Sequence, residues 1–166
     1  MILGMSTATY TSLHVLISLT GIGSGLVVMS GFLTGKRLEG LTAIFLIGTV
    51  LTSVSGFGFP FDHLLPSHKV GIISLIVLTL AITARYRFHL AGSWRWIYVI
   101  GAATALYLNL FVLVFQAFEK VPALKALAPT QKEPPFLLAQ LAVLVVYLAF
   151  TFLAAKKFHI EPAPAA

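Results

Sequence analysis

The chain has 166 residues, 58% of them hydrophobic and 10% charged, with a mean hydropathy of +0.97. A soluble domain carries roughly 25% charged residues, and one of this length could not hide so much apolar surface, which leaves an integral membrane protein. The net charge of +6 sits in short Lys and Arg clusters between apolar runs and not on a solvated basic stripe, so no nucleic-acid partner is expected, while the absence of cysteine excludes a disulfide framework, a thiolate metal site and a CxxC redox pair.

Five uncharged apolar stretches are long enough, at about 1.5 Å per residue, to cross a hydrocarbon core of about 30 Å. The first runs from Tyr10 to Leu33. It has no basic residue before Lys36 and no small-x-small cleavage site near its end, so it reads as a retained span and not as a signal peptide. Along it His14, Ser18, Gly21 and Gly25 recur at steps of four, three and four and share one face. Gly21 and Gly25 form a small-xxx-small pair that lets another helix come close. The second stretch, Leu41 to Phe59, offers Gly48, Thr52 and Gly56 as the matching face. The plain reading of both stripes is helix packing.

The third stretch, Val70 to Ala84, is the shortest, and it reaches spanning length only if Ser67, His68 and Lys69 open the helix with Pro66 in its first turn. The fourth, Trp94 to Phe118, opens with Trp94, Trp96 and Tyr98, rings suited to a membrane interface, and carries Asn109 and Gln116 on one face. In the connection from Glu119 to Pro135, Pro122 is placed to start a short surface helix with Val121, Leu124 and Leu127 on one side. The fifth stretch, Phe136 to Ala155, carries Gln140, Tyr147 and Thr151. Residues 160–166, ending in Glu-Pro-Ala-Pro-Ala-Ala, read as a disordered tail. No stretch alternates with the period of a membrane strand. The expectation is one all-α domain over residues 1–159, a bundle of five transmembrane helices.

Lys and Arg in the short loops set its orientation. One side collects Lys36, Arg37, Arg85, Arg87, Arg95, Lys156 and Lys157; the other has Lys69, Lys120, Lys125 and Lys132, diluted by Asp62, Glu119 and Glu133. The richer side should be cytoplasmic, which puts the N-terminus outside and the C-terminus in the cytoplasm.

Amides in hydrocarbon need a partner or a wet cavity. Read as interhelical glue, the polar residues of the spans satisfy one another; read as a pocket wall, His14, Asn109, Gln116, Gln140 and Tyr147 line a site. With the topology above, His14, Gln116 and Gln140 lie near the outer ends of their helices, under a loop that carries Asp62, His63 and His68. The Glu119 to Pro135 connection would roof a cavity there. His14, Asp62, His63 and His68 are donors that suit zinc or copper, and His14 with His68 could hold a bis-imidazole haem beside Ser18, Gly21 and Ser74. Against this, His63-x4-His68 is no metal signature, and the alternative is a solvated loop pair plus one hydrogen-bonded His in the bundle.

No nucleophile motif is present, and the Gly21-x-Gly23-x-Gly25 run lies inside a span with no strand before it, so an enzyme is not the expectation. The spans carry no Asp, Glu, Lys or Arg between their ends, which disfavours ion-coupled transport. No repeat relates two halves of the chain.

The string Gly56-Phe-Gly-Phe-Pro-Phe-Asp-His-Leu-Leu-Pro-Ser-His68, with Gln116-Ala-Phe and Leu127-Ala-Pro-Thr-Gln131, resembles a group of small uncharacterised bacterial inner-membrane proteins over about Leu13 to Phe158. The resemblance implies a bacterial inner membrane and no activity. The functions in view are a binding protein or accessory subunit with an outward-facing pocket for a quinone, lipid or haem; a scaffold that packs on a partner membrane protein or a second copy; and a facilitator of small-solute passage.

Overall fold

The structure, a computed structural model, describes residues 1–62 and 66–158. Its helices are α1 (Thr7–Leu33), α2 (Glu39–Gly56), α3 (Pro66–Ile82), α4 (Trp94–Lys120), α5 (Pro122–Leu127) and α6 (Pro134–Lys157). Among the described residues there is no strand. A π-helical turn, Thr83–Arg87, prolongs α3. With that turn α3 runs from Pro66 to Arg87, and five helices are then long and apolar enough to cross a membrane. The tail 160–166 lies outside the described residues, and so does His63.

Helix ends follow local chemistry more closely than the edges of the apolar runs. The Ser6 hydroxyl accepts a hydrogen bond from the Thr9 amide at 3.1 Å, so α1 starts at Thr7, ahead of its first apolar stretch. It closes over Gly35, whose φ of +70° suits glycine, and the Lys36 amide returns to the Gly31 carbonyl at 2.8 Å. At the far end of α4, Pro122 holds Val121 extended and stops the helix, then serves as the first residue of α5.

α1 packs chiefly on α2, α3 on α4, and α6 on α4, while α2 closes on α3. α4 touches every other helix and is the centre of the bundle. Small residues set the closest approaches. A Cβ on Gly48 would stand 3.2 Å from Gly21 Cα, and one on Gly25 would run into the Phe45 and Leu106 side chains. Gly21, Gly25 and Gly48 therefore bring α1 and α2 together inside the chain. Phe32, Phe45, Leu78, Tyr98 and Leu106 fill the core between α1 and α4. α6 packs on α4 and α1 but is the least covered helix, with only 6% of its most apolar segment buried.

Candidate ligand-binding pocket

At the end of the bundle that holds the start of α3 and the α4–α6 connection lies a cavity of about 420 Å³. Pro66, Ser67 and Val70 form one side, and α4 supplies Phe111, Val112, Phe115 and Phe118 together with the polar Gln116 and Glu119. Lys125, Pro129, Thr130 and Gln131 cover it. Aromatic and aliphatic groups thus make the body of the cavity, while hydroxyl, amide, ammonium and carboxylate groups complete its lining.

The cover is held by specific bonds. Gln131, in the left-handed region with φ +57°, donates from Nε2 to the Phe115 carbonyl at 3.1 Å. Glu133, the residue before α6, accepts from the Thr130 amide at 3.2 Å and hydroxyl at 2.9 Å on one oxygen, and from the Lys132 amide at 3.0 Å on the other. A slight loss of hydration pushes its pKa up, but these hydrogen bonds outweigh that and hold the carboxyl below the usual carboxylate range. Below the cover, Phe118 meets Phe136 edge to face at 5.4 Å and Ala128 is fully buried beside them, which ties the connection to both α4 and α6.

Of the polar residues expected to line a pocket, Gln116 lines this cavity and the other four do not. Asn109 lies two turns, about 10 Å, nearer the bundle centre along α4, where its Nδ2 donates to Thr49 Oγ1 at 3.3 Å and it is buried against α2. Gln140 donates to the Phe111 carbonyl at 3.1 Å, and Tyr147 shares a 2.9 Å hydrogen bond with Thr104 and stacks on Tyr107. Both join α6 to α4. Residues that share a face by period are covered by a neighbouring helix over part of that face, and Gln116 is the one of the five that reaches the cavity.

The histidines have separate surroundings. His14 shares a 2.7 Å hydrogen bond from Nδ1 with Ser55 Oγ and stands edge-on to Phe59; Tyr10 donates to the Ser55 carbonyl at 2.7 Å. Ser18 bonds back to the His14 carbonyl, and Gly56 faces the His14 ring at 4.0 Å from a built Cβ. Thr52 Oγ1 is buried with no hydrogen-bond partner among the described residues. His68 is buried between the rings of Phe57 and Phe61, 5.3 and 4.2 Å away, while Asp62 is exposed. Among the described residues no three His, Asp or Glu side chains gather in a group able to hold a metal. The cavity lining has no imidazole, so it offers haem no axial nitrogen.

One ion pair, buried on its Arg85 side alone, was not foreseen from the sequence, where Arg85 serves as a marker of orientation. Its side chain is only 4% exposed, and Nη2 lies 2.5 Å from Glu39 Oε2, with the guanidinium 5.1 Å from the Tyr98 ring centre. The signal available in the sequence was an acidic residue, Glu39, set within a basic turn.

Compared with known proteins, the chain matches no family model, no curated protein and no solved structure.

Proposed function

We propose that this chain is a multi-pass protein of a bacterial inner membrane that binds an amphipathic ligand, a quinone or a lipid, in the cavity beneath the α4–α6 connection. The observation that carries the reading is the cavity itself: about 420 Å³ in volume, lined mainly by apolar and aromatic groups, with Gln116, Glu119, Lys125 and Gln131 as its polar members. Such sites take an apolar body in the walls and fix its head with a few polar groups. The excess of Lys and Arg at the opposite end of the bundle supports an N-terminus outside and a cytoplasmic C-terminus, which opens the cavity toward the outer face. Haem is the least favoured of the ligands, for want of a nitrogen donor in the lining.

An assembly role is the second reading, and the exposure of α6 favours it. Gly21 and Gly48 close on each other inside the chain and are not free for a partner protein or a second copy, so this reading rests on the uncovered face of α6. Nothing in the fold favours solute passage.

The test is extraction of the protein purified in mild detergent, followed by mass spectrometry of the extract and an absorption scan. One quinone or lipid per chain is expected, and Val112→Trp, which fills the cavity, should lower its retention about tenfold or more. Equal retention by the variant, an extract without such a compound, or a Soret band would overturn the proposal.

A further inference from the structure

A second cleft, about 150 Å³ in volume, lies at the opposite end of the bundle from the cavity. Arg37 of the α1–α2 turn and Glu39 at the start of α2 line it, together with Arg85 and Tyr86 of the π-helical turn and His89 and Leu90 after it. Three observations bear on what it takes. First, Arg85 is buried, and although Nη2 bonds Glu39, its Nε meets no acceptor at hydrogen-bond geometry among the described residues. A buried donor on a charged group is costly to leave unmet. Second, the π-helical turn Thr83–Arg87 and the left-handed His89 and Leu90, at φ +48° and +61°, place Arg85 and His89 on one cleft. A π-turn followed by two non-glycine residues in this region is an arrangement that function, and not packing, tends to maintain. Third, Glu39 holds Nη2 at 2.5 Å from a side chain that is itself 67% exposed, so an oxyanion in this cleft takes the guanidinium by displacing a solvated carboxylate, which can swing out to water.

We infer that this cleft binds a phosphate-type oxyanion, held by the Arg85 guanidinium from within and by Arg37 and His89 at the mouth. A guanidinium fork matches two phosphate oxygens, and basic pockets between membrane helices take anionic head groups. The stacked Phe88 and Trp94 rings, 3.8 Å apart and next in the chain, suit the depth at which head groups lie. The phosphate comes either from a phospholipid or from a soluble phosphate compound.

The experiment uses the full chain in detergent with three probes: phosphatidylglycerol, diacylglycerol, which lacks the phosphate, and inorganic phosphate. Native mass spectrometry reads lipid retention, and thermal stabilisation reads inorganic phosphate. Because Arg85 is buried, replacing it also tests the fold; the exposed pair Arg37→Gln with His89→Gln carries the decision. Retention of phosphatidylglycerol over diacylglycerol, about tenfold weaker in the double variant, would establish a lipid head group. Stabilisation by inorganic phosphate that the double variant loses would establish a soluble source. If neither probe distinguishes the double variant from the unaltered chain, the inference fails.

Discussion

Glu133 ties the cover of the cavity to the start of α6 by accepting three hydrogen bonds from a single turn. Its carboxyl titrates below the usual range, so the folded form binds the proton more weakly than the unfolded chain does. The stabilisation is complete above the ordinary carboxylate pKa and is lost as pH falls through the lowered value. Amide exchange at Thr130 and Lys132 should therefore be slower in the unaltered chain than in Glu133→Gln at neutral pH, and the two should converge in acid. Equal exchange at neutral pH would show the carboxylate to be idle. Much of this scale was not legible in the sequence. The face shared by Asn109 and Gln116 follows from helical period, but which of them α2 covers depends on where α2 stops. Arg85 and Glu39 meet across 46 positions, a pairing that no local pattern contains.

At the scale of elements, the sequence reading and the structure agree in kind and differ at the edges. Pro66 opens α3 and Pro122 opens α5, because proline at a first helical turn acts through local geometry alone. The start of α1 differs because a serine cap, and not hydrophobicity, decides it. The third span attains its length by a π-helical turn that apolar periodicity does not register. The α1–α2 contact gives a paired prediction. Gly48→Leu must force Gly21 and Gly48 apart and should destabilise the protein by about 1–3 kcal/mol, as overpacking does. Gly23, on the same helix as Gly21, has nothing within 4 Å of a built Cβ, so Gly23→Ala should be neutral or stabilise by up to about 1 kcal/mol. Thermal unfolding in one detergent compares them, and a Gly48→Leu protein as stable as the unaltered chain would dismiss the close approach as a determinant.

For the whole molecule, five helices long and apolar enough to cross a membrane were legible because composition and length suffice to reveal them, whereas their unequal burial was not. α6 reads as apolar as the others, yet it packs on α4 and α1 along one side and leaves most of its surface uncovered. The absence of cysteine makes the proposed orientation directly testable. Single cysteines at Lys36 and at Lys132 should react with an impermeant maleimide from opposite sides of the membrane, Lys132→Cys in intact spheroplasts and Lys36→Cys only after lysis. The reverse pattern would invert the topology and turn the cavity toward the cytoplasm.

The edge-to-face contact of Phe118 with Phe136 adds a dimension of time. Ribosomes deliver α4 before α6, so the walls formed by Phe111 and Phe115 exist in the nascent chain before the ring that anchors their cover has been made. During biogenesis the cavity stands open along its flank to whatever surrounds α4. The cavity therefore takes its final form only once the start of α6 has been made, and its completion is among the last steps of synthesis.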